Sequence, residues 1–197
     1  VIGDGVLLGG VSAQAVLTQL SSVPMTTKVV LRINSIGGVV DDAKAMVNLL
    51  EERAQAGAEV EARIDGIAAS AASFLTTCAR RVVMPANAFL MLHKARGGMS
   101  GTDTDLECAA KVLRDINEQM AEAYAAASQR RGKGKTTKDF LAEMKKGDRY
   151  FRSAEAIEWG LADETASSMM VAACAIDISG FSDPPPDLVD APYAFRP

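Results

Sequence analysis

Ser70 stands where a hydroxyl can be turned into a nucleophile. Upstream, from Glu59 to Ile64, the apolar Val60, Ala62 and Ile64 alternate with charged residues, which is the period of a strand. After Gly66 the residues become small, and Ala68 to Leu75 reads as the opening of a buried helix. At a turn from strand to helix the first amides lack intrahelical partners, and the helix dipole favours negative charge. A serine placed there can attack a carbonyl while adjacent amides hold the oxyanion that forms. As packing alone, Ser70 and Ser73 would be small residues that let a helix approach closely.

Acyl transfer near neutral pH also needs a base, a group that orients the base, and oxyanion donors. His93 is the single histidine of the chain, at the end of the apolar run Ala88 to His93. Acids are plentiful. Asp148, in Gly147-Asp148-Arg149-Tyr150-Phe151, sits where a helix ends and an aromatic pair begins, and as structure it would be a loop acid paired with Arg149. The amides of Gly38 and Ala71 are the candidate oxyanion donors, because the Gly37-Gly38 pair permits close approach of backbone to substrate. Lys44 or Lys94 would serve as base in a Ser-Lys arrangement. One histidine excludes metal sites built on two or more, and no metal or other cofactor is expected.

The elements that position these groups alternate between strand and helix. Residues 1–8 suggest a short strand and turn, and Ser12 to Leu20 has helical spacing with Ser12 as N-cap. Lys28 to Asn34 is a near-continuous apolar run, as in a strand buried on both faces. Val40 to Arg53 places Ala43, Met46, Val47 and Leu50 on one helix face. Strand, glycine-bearing turn and helix therefore occur at 28–53 and recur at 59–77, with short strands at Arg81 to Met84 and Ala88 to His93. This repetition predicts an α/β fold with a largely parallel sheet, whose loops at the C-terminal strand ends gather Gly38, Ser70 and His93.

Further along, Gly97 to Thr104 reads as a loop. Asp105 to Gln129 reads as a long amphipathic helix with Leu106, Ala109, Leu113, Ile116, Met120 and Ala123 on its apolar face. Thr137 to Lys146 predicts a second helix, and 153–163 a short helix closed by Gly160 before a return to strand. Met169 to Ile178 fits an edge strand or a short helix. The proline-rich stretch from Ser182 onward is expected to lie extended along another surface or a neighbouring subunit. One domain over 1–165 with a C-terminal extension over 166–197 is the expected organisation.

The chain has 197 residues, 48% hydrophobic and 23% charged, ordinary for a soluble globular protein. A net charge of −4 gives no reason to expect a nucleic-acid partner, and the run Arg130 to Lys135 reads as a solvated loop. No apolar stretch reaches transmembrane length, and no signal-peptide pattern opens the sequence, so no membrane partner is expected. Cys78, Cys108 and Cys174 are far apart and read as buried small residues in a reducing, cytoplasmic setting.

Four segments together carry a family resemblance. Leu31-Arg-Ile-Asn-Ser-Ile-Gly-Gly38 resembles the Asn-Ser-Pro-Gly-Gly segment of the ClpP peptidase family, with Ile36 where that family usually has proline. Gly66-Ile-Ala-Ala-Ser-Ala-Ala-Ser73 resembles its serine segment, 84–93 its histidine strand, and 148–163 its aspartate segment. The resemblance implies a ClpP/crotonase fold with a projecting long helix. It implies a serine endopeptidase with Ser70 as nucleophile, His93 as base and then acid, Asp148 as orienting carboxylate, and Gly38 and Ala71 as the oxyanion hole. The spacing from Asp148 to Gly160 fits the family's aspartate without a gap, which favours Asp148 over Asp139 or Asp163.

The form Ala-Ala-Ser-Ala-Ala-Ser, the short Ser-to-His connection and the opening Val-Ile-Gly-Asp-Gly are most similar to the ClpP-related head-maturation proteases of tailed phages. That similarity implies a homo-oligomeric ring enclosing its sites, scaffold or capsid proteins as substrates, and a host-cytoplasm or prohead location. The first residues do not resemble the axial loop by which bacterial ClpP engages its ATPase, so an unfoldase partner is not implied. Two other readings share the fold: a crotonase-like acyl-CoA enzyme, using the same amides with carboxylates in place of Ser-His, and a ring-forming scaffold without activity.

Overall fold

The structure is a computed structural model that describes residues 2, 10–167, 176–177, 180–189 and 194–195. The elements expected over 1–8 and over 169–178 therefore fall almost wholly outside the described residues, as does Cys174. In chain order the elements are α1 (Ala13–Ser21), β1 (Val29–Ser35), α2 (Val40–Gln55), β2 (Val60–Ala69), α3 (Ala71–Leu75), β3 (Arg81–Pro85) and β4 (Phe89–Leu92). They continue with α4 (Asp103–Arg130), α5 (Thr137–Lys145), β5 (Arg149–Arg152), α6 (Ser153–Glu158), β6 (Glu164–Ala166), β7 (Ile176–Asp177), α7 (Pro186–Val189) and β8 (Ala194–Phe195).

Strand β2 is the axis of the sheet. Along one edge it pairs in parallel with β1, from Val29↔Val60 to Ser35↔Ala68. Along the other it pairs first with β3, through Glu61–Arg63, and then with β4, through Ile67–Ala69. β6 extends the sheet beyond β3 in parallel, and β5 beyond β4 antiparallel. Paired on both edges and covered on both faces, β2 runs through Ala68 and Ala69 to the threshold of Ser70, where the sequence pattern had suggested helix. Small side chains there serve strand packing: Ala68 faces the helices, and Ala69 faces the opposite side with Ile67, Phe89 and Met91.

β1 departs from expectation in the other direction. Among the described residues its partner lies on one side only, and burial alternates along it, with Val30 43% exposed and Ile33 buried. An edge strand with one open face needs apolar residues only at alternate positions. A register shift after Ile33 is filled by the Asn34 side chain, whose Oδ1 accepts from the Ile67 amide at 3.2 Å. The shift carries Gly37 and Gly38 beside the turn at Ser70.

The helices follow the predicted spacing. Ser12 caps α1 by accepting from the Ala15 amide, and α2 buries Ala43, Met46, Val47, Leu50 and also Arg53. The Arg53 guanidinium donates to the carbonyls of Leu20, Val23 and Pro24, at the end of α1 and in the turn that follows it. Thr102 and Thr136 form capping boxes with Asp105 and Asp139. Tyr124, Phe140, Trp159 and Phe151 form a chain of ring contacts that joins α4, α5, α6 and β5.

Three expectations change. Only the second half of α4 is packed: Met120 and Tyr124 are buried, whereas Leu106 and Val112 are exposed. The start of the basic run is exposed at Arg130 but tied down, and only the Arg131 side chain leaves solvent. Arg130 donates to the Thr77 carbonyl, and the Arg131 side chain, 7% exposed, pairs with Asp163 and reaches the Ala79 carbonyl. These contacts stitch the end of α4 to the loops around β3. Of the cysteines, Cys78 is buried but Cys108 is exposed.

Gly37 has φ +99°, and a Cβ built on it would lie 2.7 Å from the Ala69 carbonyl oxygen and 2.7 Å from Ser70 Cβ. Backbone atoms and the turn itself cannot yield that space. Gly37→Ala is expected to lower stability by roughly 1–3 kcal/mol, read as a fall in the thermal or urea unfolding midpoint.

Candidate active site

Four strand ends build the site. Pairing of Ala69 with Met91 brings the end of β2 alongside β4, and the Ser70 amide donates to the Met91 carbonyl at 2.9 Å. In the antiparallel pair Leu92 faces Arg149, so the next positions outward are His93 and Asp148. On the other edge β1 delivers Gly37 and Gly38, whose turn is bracketed by Ile2: its amide donates to the Gly37 carbonyl and its carbonyl accepts from Val39.

Ser70 has φ 53° and ψ −126°, a conformation that non-glycine residues rarely adopt. Such a backbone costs on the order of 1–3 kcal/mol and persists only where its surroundings over-determine it. They do so here. The Ser70 carbonyl accepts from the amides of Ser73 and Phe74 and from Ser73 Oγ at 2.6 Å, and Ser73 Oγ shares a 2.7 Å bond with the buried Tyr124 hydroxyl. The turn is thus braced from α3 and α4 at once, and it throws the Ser70 side chain out of the sheet.

Ser70 Oγ lies 2.7 Å from His93 Nε2, and His93 Nδ1 lies 2.8 Å from Asp148 Oδ1. His93 is 8% exposed, and the Asp148 side chain is fully buried. Burial pushes the Asp148 carboxyl upward, but the Ser182 amide, His93 and Arg96 outweigh it and hold the group below the ordinary carboxylate value. A carboxylate can only accept, so Nδ1–H donates to Asp148, and Nε2 is left to accept from the Ser70 hydroxyl. For His93 burial is the largest influence and lowers its pKa; Asp148 raises it, the Arg96 charge lowers it, and the net is below 6.5. The imidazole is therefore neutral near pH 7, the form that can take a proton.

The other candidates lie elsewhere. Asp139 caps α5 through Thr136, and Asp163 accepts from the Val82 amide and Arg131. Ser70 Oγ meets His93, and no bond joins it to Lys44 or Lys94. The Gly38 and Ala71 amides flank the hydroxyl's turn and have no acceptor among the described residues. No group of three metal-ligating side chains occurs among the described residues. Sequence reasoning missed Arg96 and the Ser182 amide on Asp148. No motif marks either, because both reach the carboxylate from loops. The Ser73 brace did have a signal, a hydroxyl three residues after the turn serine.

A mainly parallel α/β sheet that brings a hydroxyl, an imidazole and a carboxylate into one hydrogen-bonded line defines a class of protein with acyl-transfer geometry. A family model described as Clp protease matches residues 10–169, and the chain belongs to that family, with its α/β fold. It is 31% identical over 141 residues to the ATP-dependent Clp protease proteolytic subunit 2 of Cutibacterium acnes, covering 70% of this chain and 62% of that relative. It is 31% identical over 111 residues to proteolytic subunit 1 of Leifsonia xyli subsp. xyli, 55% of this chain and 53% of that relative. It is 28% identical over 151 residues to proteolytic subunit 2 of Rhodococcus jostii, 75% and 72% of the two chains. The chain thus spans between half and three quarters of these relatives.

Because the folded pKa of His93 lies below its unfolded value, the unfolded chain binds more protons between the two. Stability present above about pH 6.5 is then lost as pH falls through the folded value. The lone imidazole makes this measurable: proton NMR of the chain should give one histidine titration, with a midpoint below 6.5.

Proposed function

We propose that the protein is a serine endopeptidase in which Ser70, His93 and Asp148 act as a triad. The observation that carries this reading is the continuous line from Ser70 Oγ through both nitrogens of His93 to Asp148, with links of 2.7 and 2.8 Å. Ser70 Oγ attacks the scissile carbonyl carbon as His93 Nε2 takes its proton, and Asp148 stabilises the imidazolium formed. The Gly38 and Ala71 amides donate to the tetrahedral oxyanion. Collapse breaks the C–N bond, and the leaving amine takes the proton from Nε2. Water then attacks the Ser70 ester, gives its proton to Nε2, and the acid departs as that proton returns to Ser70.

A reactive Ser-His pair with an open site is tolerated when access is limited by enclosure, and the proposal extends to a homo-oligomeric ring. The exposed apolar residues Leu106 and Val112 along the first half of α4, with Met99 in the loop before it, supply surface for contacts between copies. The relatives' names, proteolytic subunits, support protein substrates. The narrower assignment to scaffold or capsid proteins of a phage head, in the host cytoplasm or prohead, rests on the sequence resemblance of the serine segment and the opening residues. Among the described residues no helix is long and apolar enough to cross a membrane.

Ser70→Ala should abolish labelling by a fluorophosphonate probe and reduce peptide hydrolysis by at least about 10³-fold, with the oligomer retained on sizing. Unchanged labelling would reject Ser70 as the nucleophile. For the unaltered protein, kcat/KM should fall with acid along a limb centred below pH 6.5, since protonated His93 cannot accept the Ser70 proton.

A further inference from the structure

Asp148 has more donors than the His93 contact requires. Its Oδ1 accepts from Arg96 at 2.6 Å as well as from His93, and its Oδ2 accepts from the Ser182 amide. Arg96 also donates to the Gly180 carbonyl at 2.8 Å, so one guanidinium ties the carboxylate to the C-terminal segment. That segment is anchored on the core. Leu188 is fully buried against Ile67, Ala69, Phe89 and Met91, and the Phe181 ring meets Tyr150 edge-on at 6.4 Å. The loop carrying Arg96 is itself pinned, because the Ala95 amide donates to Asn117 Oδ1 of α4 at 2.7 Å. The proline-rich stretch, expected on another surface or subunit, thus folds back over 180–188 onto its own candidate site.

A carboxylate held by a single donor can rotate about its Cβ–Cγ bond. Donors on both oxygens, from two different parts of the chain, fix its plane and so the direction in which His93 Nδ1–H must point. We infer that Arg96 and the segment 180–188 form a clasp that positions Asp148, so that alignment of the site depends on the docked state of the C-terminal segment. Arg96 and the Ser182 amide touch neither the hydroxyl nor the imidazole in this arrangement, and they act through Asp148. The other ionisable groups facing the pair are the Tyr150 phenol of β5, raised by burial, and Asp183 beside Ser182; α4 contributes the neutral Asn117, and Lys94 is exposed. For its effect on rate the inference rests on the triad reading above; for its effect on the imidazole it rests on the contacts alone.

The test uses the full chain, carbon-13-labelled at its single histidine, as wild type, Arg96→Ala, Arg96→Lys and Ser182→Pro. Arg96 is 55% exposed on its side chain, so Arg96→Ala is expected to fold, and a thermal melt checks Ser182→Pro. Loss of the Arg96 charge should raise the His93 midpoint and lower kcat about tenfold with KM little changed. Arg96→Lys should return the midpoint toward wild type. Ser182→Pro, which removes the amide donor, should broaden the low-field Nδ1–H resonance through faster exchange and lower kcat likewise. The clasp is overturned if the Arg96→Ala midpoint, Nδ1–H resonance and kcat all match wild type. Failure of the peptidase reading looks different: Ser70→Ala would keep its probe labelling while the histidine spectra still report on the clasp.

Discussion

The bond from the Ser70 amide to the Met91 carbonyl is the constraint on which the site depends. It continues the β2–β4 ladder one residue past the last strand pair, at the point where the backbone turns into a conformation costing on the order of 1–3 kcal/mol. A turn of that kind relaxes unless neighbours hold it. β4 holds it from one side, the Gly37 backbone closes against it from the other, and the Ser73–Tyr124 bond holds it from below. The same bond sets the distance between the proposed nucleophile and base, because β4 ends one residue before His93.

Electrostatics complete what the ladder begins. Burial alone would make the Asp148 carboxylate unfavourable, and a buried charge without donors is costly. Three donors offset that burial, and the carboxylate remains charged beside an imidazole that stays neutral. The pair is therefore ready to accept a proton at Nε2 while its other nitrogen is committed. Arg96 contributes to both effects with one charge, anchoring the carboxylate and disfavouring the imidazolium.

Much of this was legible from residue patterns, and the failures have specific causes. Spacing located α1, α2, α5 and the short helix before Gly160 to within a few residues, because each turns a periodic apolar face inward, α2 toward the core beneath it, α5 toward α4 and α1 toward α2. It misjudged Ala68 and Ala69, since small residues suit a strand sandwiched on both faces as well as they suit a helix. It over-extended the buried face of α4, because an apolar stripe does not say where the domain beneath it stops. It treated Arg131 as solvated, although the Ala79 carbonyl and Asp163 lay within reach to receive it.

By itself the sequence determined the α/β class, the positions of the strand-to-helix turns, and the identity of the residues that meet there. Local spacing and side-chain chemistry suffice for those, as apolar periodicity and glycine placement act over a few residues. Only the tertiary structure decided that Ser70 takes a strained backbone, that His93 and Asp148 face one another across an antiparallel pair, and that Arg96 and Ser182 close on the carboxylate from behind. Those features depend on register between segments separated by tens of residues. Register is settled by the packing of both sheet faces together, and no local stretch of chain contains that information.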